Sequence, residues 1–267
     1  MNFKTILIAE SALVRTITLH RSERRNAMTP EMQMELISAL EDAASSGCRV
    51  LVLAGAGEDF CSGLDLSALQ AMQDKGAAEH RADAERIARL FLTLYELPIP
   101  TIAAVHGAAI AGGAGLAFIC DFTLATPAAK FGFTEVRIGF VPALVSAFLA
   151  LQIGEKRSRD LLLTGRICDA EEAHRLGLVN EIMAPEQLAQ RVQSLADVLI
   201  ANSPQALKAT KLLLAQRNRA WLDSALAQAL EAHAQSRETA DFREGIVAFL
   251  EKRKPVWGKG SRAKPRR

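Results

Sequence analysis

The sequence predicts an α/β fold whose C-terminal part is helical, and three observations carry that prediction. Short apolar, β-branched runs alternate with helix-spaced segments through the first half of the chain. Two of those runs end in glycine-bearing turns. From Glu155 onward nearly every segment reads as helix. A chain of 267 residues lies within the range of one α/β domain, and 49% apolar against 23% charged residues suffices to fill a core.

Residues 6–9 and 13–19 read as short strands. Thr29-Pro30-Glu31 then supplies an N-cap, a proline at the first helical position and an early acid. Met32, Leu36, Ile37 and Leu40 follow at helical spacing, with Gly47 as the stop. Residues 50–53 form a buried strand that leads into the first turn, Phe60-Cys61-Ser62-Gly63-Leu64-Asp65-Leu66. Residues 76–95 read as a helix with Ile87, Leu90, Phe91 and Leu94 on one face. Pro98 and Pro100 end it and feed a strand over 102–105, before the second turn, Gly107-Ala108-Ala109-Ile110-Ala111-Gly112-Gly113-Ala114-Gly115. A helix through 116–120 and a strand over 122–125 follow. Long amphipathic stretches cover 185–200, 203–236 and 242–254. This organisation gives an α/β core over residues 1–200, a helical region over 201–255 and a basic, flexible tail over 256–267.

Composition narrows the function classes. The four cysteines show no C-x-x-C spacing, which argues against a disulfide framework or zinc site and for a reducing, cytoplasmic setting. Residues 101–120 are long enough to span a bilayer, but four glycines and the entering prolines fit a strand, turn and packed helix better. Lys252 to Arg267 hold eight Lys/Arg and no acid, leaving a body with 24 basic and 30 acidic residues. Such a tail reads first as a solvated terminus. Contact with a polyanion is the functional alternative.

A strand that ends in glycines leaves backbone N–H groups bare and lets another molecule approach closely. Two such turns side by side can aim two N–H groups at one oxygen, which is an oxyanion hole needing no particular side chain. One donor of that kind is typically worth about 3 kcal/mol in the transition state. Neither turn matches G-x-G-x-x-G or G-x-x-x-x-G-K-[ST], so nucleotide loops of those kinds are disfavoured. Glu135 stands among apolar residues in Phe131-Gly132-Phe133-Thr134-Glu135. Burial there raises a carboxyl pKa toward the range useful for proton transfer, whereas a salt bridge with Arg137 or Lys130 gives a plain surface acid. His106 reads as a packed histidine, and Cys61 has no neighbouring base to make it a nucleophile. A G-x-S-x-G elbow is absent, which sets a serine hydrolase aside.

The order of these segments resembles the crotonase family of enoyl-CoA hydratases and isomerases. The matching pieces include His20-Arg21-Ser22-Glu23-Arg24-Arg25-Asn26-Ala27-Met28, both glycine turns, Cys120-Asp121-Phe122 and Phe131-Gly132-Phe133-Thr134-Glu135. Further matches are Leu162-Leu163-Thr164-Gly165, Ala173-His174-Arg175-Leu176-Gly177-Leu178-Val179-Asn180 and Glu244-Gly245-Ile246-Val247-Ala248-Phe249. The resemblance implies a spiral of ββα units and a helical C-terminal trimerisation region, with trimers that pair into hexamers. It implies an acyl-CoA thioester as substrate, with coenzyme A part of that substrate and neither a separate cofactor nor a metal; membrane and nucleic-acid partners are not expected.

Carried over by position, the resemblance makes the N–H groups of Leu64 and Gly112 the oxyanion hole and Glu135 the acid/base. It lays Ser62, Asp65, Leu66 and Ser67 along the adenine and pantetheine, and places Arg24, Arg25 and Ala27 in the segment that meets the CoA phosphates. Phe249 and Lys252 match positions that close the CoA site, often from a neighbouring subunit. Gly115 stands where two-glutamate hydratases carry their second catalytic glutamate. Three readings follow: a hydratase using Glu135 with a second polar contact from elsewhere, an isomerase using Glu135 as sole proton shuttle, or a CoA- or RNA-binding homologue. Restoring glutamate at 115 is expected to raise hydration relative to isomerisation. The run from Ile138 to Ser146 resembles single-glutamate hydratases of the methylglutaconyl-CoA type, which favours the hydratase. Ser146 is expected as a helix cap or near the acyl end.

Overall fold

The computed structural model describes residues 3–258. Its main sheet has six strands in the order β1 (Ile6–Ser11), β2 (Val14–Leu19), β3 (Val50–Gly55), β4 (Thr101–Val105), β6 (Phe122–Ala125) and β9 (Glu181–Ile182). The first pair is antiparallel and the others are parallel. Period-two alternation divides the strands between two faces. Leu51, Leu53, Ala103 and Val105 join α1 (Pro30–Ala43) and α3 (Ala77–Tyr95) in the main core. Val50, Val52, Ile102 and Leu124 face α7 (Pro185–Ala201) in a second cluster.

Local chemistry sets the element boundaries. Thr29 accepts a hydrogen bond from the Met32 amide at 3.2 Å and so caps α1, with Pro30 in its first turn. That helix ends at Ala43, and Gly47 lies beyond it in the following loop with φ 84°. The 101–120 segment divides into β4, β5 (Ala108–Ile110) and α4 (Gly112–Ile119). Among the described residues no helix is long and apolar enough to cross a membrane.

A second sheet of three three-residue strands, β5, β7 (Lys130–Gly132) and β8 (Ile167–Asp169), stands beside the first and was not expected. Three residues are too few to show a period. The short α2 (Leu66–Ala71) follows the first glycine turn directly, and α5 (Ala143–Thr164) begins well before Glu155. It is broken at Gly154, with φ 74° and ψ 165°, and only the part after that break falls in the stretch that reads as nearly all helix.

After α6 (Ala170–Leu176) and α7, the long α8 (Pro204–Ser236) packs on α3 and α5. Its Leu222, Leu226 and Ala229 belong to the main core. The Lys211 ammonium lies 2.6 Å from Asp121, whose carboxylate also accepts from the Thr101 amide and hydroxyl, tying α8 to the start of β4. The last helix, α9 (Ala240–Leu250), stops four residues short of the expected 254 and packs on the turn Glu135–Ile138. Residues 259–267, most of the expected tail, lie outside the described residues.

Candidate active site

The two glycine turns are joined edge to edge. The Cys61 amide donates to the Ala108 carbonyl at 3.0 Å, and the Ile110 amide donates back to Cys61 at 2.8 Å. Gly63 adopts φ 91°, and a Cβ there would lie 2.9 Å from the Ala111 Cβ and 3.6 Å from the Gly112 nitrogen. Only a residue without a side chain allows that approach. The neighbouring amides are committed: Ser62 to Arg25, Asp65 to Met28 and Ala111 to Gly132. Those of Leu64 and Gly112 donate to no backbone carbonyl among the described residues. Gly112 opens α4, so its N–H also carries the positive end of that helix.

Both residues line a cavity of about 470 Å³, and Glu135 lines it with them. Glu135 begins the single turn Glu135–Ile138, held by a hydrogen bond from the Phe140 amide to its carbonyl at 3.0 Å. Its side chain is buried, Oε2 has no hydrogen-bond partner, and it forms no ion pair with Lys130 or Arg137. Desolvation pushes its pKa up to about 7, against a smaller opposing effect of its own backbone amide. A carboxyl poised there can hold or release a proton near neutral pH.

Every other expected site residue except Lys252 also lines this cavity. Arg24, Arg25 and Ala27 form one rim with Ser62, Asp65, Leu66 and Ser67. The Arg25 guanidinium is held 2.5 Å from Asp59, at a position with φ 53°. The Asp65 side chain has structural work of its own: it accepts from the Ser67 and Ala68 amides as the N-cap of α2 and pairs with Arg21 at 3.0 Å. What Asp65 offers a ligand is therefore its backbone. Phe249 reaches the cavity of its own chain, with half its surface exposed, whereas Lys252 lies outside the lining.

Several expectations need correction or addition. Ser146 is neither a cap nor part of the lining, because it sits inside α5 with its hydroxyl donating to the Ala143 carbonyl at 2.6 Å. The space in front of Gly115 is filled, since a Cβ there would meet Val145 Cγ1 at 2.7 Å and the Phe91 ring at 3.2 Å. A glutamate does not fit at 115 without a change at Val145. Cys61 is wholly buried and its thiol is pushed up to about 12, so it is no nucleophile. His106 bonds the Gly57 carbonyl at 2.8 Å, away from the cavity. Thr134, Val145 and His233 line the cavity without having been singled out, and Ile87 and Phe91 had been read only as a helix face. His233 lies on a helix that gave no local signal of a site.

Comparisons with known proteins place the chain in a family. The family model described as Enoyl-CoA hydratase/isomerase matches residues 9–260. A Thermus thermophilus protein provisionally named an enoyl-CoA hydratase is 44% identical over 92% of this chain and 98% of its own. The crystal structure of an enoyl-CoA hydratase from Mycobacterium avium subsp. paratuberculosis superposes with a TM-score of 0.87 at 26% identity, covering 96% of this chain and all of that one. An enoyl-CoA hydratase/isomerase from Xanthobacter autotrophicus gives 0.87 at 30% identity, over 94% of this chain and 97% of the other. With its two glycine turns, its buried Glu135 and an acyl-CoA substrate that fits the likeness, this chain belongs to the enoyl-CoA hydratase/isomerase family of enzymes.

Proposed function

We propose that this chain is an enoyl-CoA hydratase in which Glu135 alone moves the protons. The observation that carries the reading is the buried carboxyl of Glu135, with Oε2 unpartnered, in the same cavity as the uncommitted amides of Leu64 and Gly112. The thioester oxygen accepts from those two amides. Ionised Glu135 takes one proton from water as the water oxygen bonds to C3 of the 2-enoyl chain. The electron pair of the double bond moves onto the thioester as an enolate, which the two N–H groups stabilise as its charge develops. Glu135 then returns the proton to C2, so one water is added and the carboxylate is regenerated. Arg24, Arg25, Ala27, Ser62, Asp65, Leu66, Ser67 and Phe249 would hold the CoA portion, Lys252, outside the lining of its own chain, would close that site from a neighbouring subunit, and assembly into trimers or hexamers belongs to the same reading.

A specific observation favours a second reading. With Val145 and Phe91 filling the space at Gly115, no carboxylate positions a water from that point of the wall. A double-bond shift needs none, because Glu135 would remove a proton from one carbon and return it to another. Incubation with crotonyl-CoA, 3-methylglutaconyl-CoA and a 3-enoyl-CoA, with products resolved by mass, separates the two. Gain of one water from a 2-enoyl ester supports the hydratase. An isobaric product with a moved double bond, and no hydration, contradicts it.

A further inference from the structure

At the wall of the cavity formed by α3 and α8, the side chains suit something other than a hydrocarbon. His233 lines the cavity, packs edge-on against Phe140 with ring centroids 4.8 Å apart, and leaves Nδ1 buried without a partner. One helical turn later, Arg237 is 1% exposed and lies over the same Phe140 ring at 5.6 Å. Its Nη2 donates to Asp83, while Nε and Nη1 are buried with no hydrogen-bond partner. Neither Asp83 nor Arg237 lines the cavity; they stand behind its wall, one turn from Ile87 and His233, which do.

The charges here do not balance. Asp83 is shared between two guanidiniums, Arg237 and Arg86, and Arg86 also donates to Gln33 at 2.8 Å. His80 bonds the Met72 carbonyl at 2.9 Å, and its other nitrogen is 4.0 Å from the exposed Glu238. With the exposed Glu238 set aside, Asp83, Arg86 and Arg237 hold one positive charge in excess, together with the unpaired donors of Arg237. Burying such groups costs several kcal/mol unless an anion or acceptor completes them. Desolvation lowers Arg237 to about 10, and desolvation with the charge of Arg237 lowers His233 to about 3. A methyl-ended acyl chain would be served at lower cost by apolar side chains such as Ile87 and Phe91, which line the rest of this wall.

We propose that His233 and Arg237 form an acyl-end subsite that takes an enoyl-CoA whose chain ends in a carboxylate. His233 meets the carboxylate at the cavity surface, and Arg237 supplies positive charge from behind Phe140. Charge-assisted hydrogen bonds of this kind are about twice as strong as neutral ones. The inference rests on the acyl-CoA reading above.

The test compares 2-enoyl-CoA esters of equal length ending in methyl or in carboxylate, by kcat/KM and by equilibrium binding. The wild-type enzyme is expected to favour the carboxylate ester at least tenfold, about 1.4 kcal/mol. Arg237→Met and His233→Phe are each expected to bring the ratio close to one. Should Arg237→Met fail to fold, His233→Phe reads the same ratio without touching the Asp83 ion pair. Equal or better use of the methyl ester by the wild type overturns the inference and leaves the functional reading intact. No binding of either ester overturns both.

Discussion

Glu135 shows how a residue becomes chemically active by being left alone. Its ordinary pKa of 4.5 rises to about 7 because burial disfavours the charged form. If ionised Glu135 is the base that opens hydration, kcat/KM rises with pH and levels off above about 7, and a profile flat from pH 5 to 8 contradicts this. The same shift acts on stability. A carboxyl whose folded pKa is raised keeps its contribution below pH 4.5 and loses it as pH rises through about 7, to the extent of about 3 kcal/mol. Glu135→Gln is therefore expected to stabilise the fold at pH 8 and to do little at pH 5, as read from denaturant midpoints. The apolar neighbours of Glu135 were legible in the sequence. Its lack of an ion pair was not, because Lys130 and Arg137 are equally near in sequence and only the turn between β7 and α5 decides where the side chains point.

Between the elements, the site depends on how closely α4 sits against the first glycine turn. A Cβ on Gly113 would lie 2.2 Å from the Cys61 carbonyl oxygen, a backbone atom that cannot move alone. Gly113→Ala is expected to cost at least about 2 kcal/mol of stability and to lower turnover with it, since the displaced turn carries Leu64. Unchanged midpoint and rate would show that α4 has slack. At Gly115 the obstacle is the side chain of Val145, so Gly115→Glu alone is expected not to raise hydration, whereas Gly115→Glu with Val145→Ala makes room for the carboxylate. Comparing hydration to isomerisation rates in the single and double variants decides this, and a gain from the single variant contradicts the packing argument. The bare glycine turns were legible from sequence because they need only backbone. The plug at Gly115 was not, because Val145 lies thirty residues away and on a helix whose start the sequence reading placed too late.

Across the fold, long amphipathic helices and the parallel strands were readable because their periods persist over many residues. The three short strands of the second sheet were not, although they bring β5 and the Glu135 turn together. The cavity draws on the 24–27 segment, both turns, α3, the Glu135 turn, and α8 and α9, so sites such as His233 are joined only by tertiary folding. Because Leu64, Gly112 and Glu135, which carry the proposed chemistry, all lie far from that end of the sequence, removal of residues 259–267 is expected to leave CoA-ester turnover within about twofold, an effect well under 1 kcal/mol. Loss of turnover by a truncated chain that still folds would assign the basic tail to the site. The most direct test is Glu135→Gln assayed on the ester the wild type turns over fastest, with binding titrated in parallel. A fall in kcat of at least about a hundredfold with ester binding retained is the expected result. Turnover at the wild-type rate would remove Glu135 from the mechanism and with it the one-carboxylate reading.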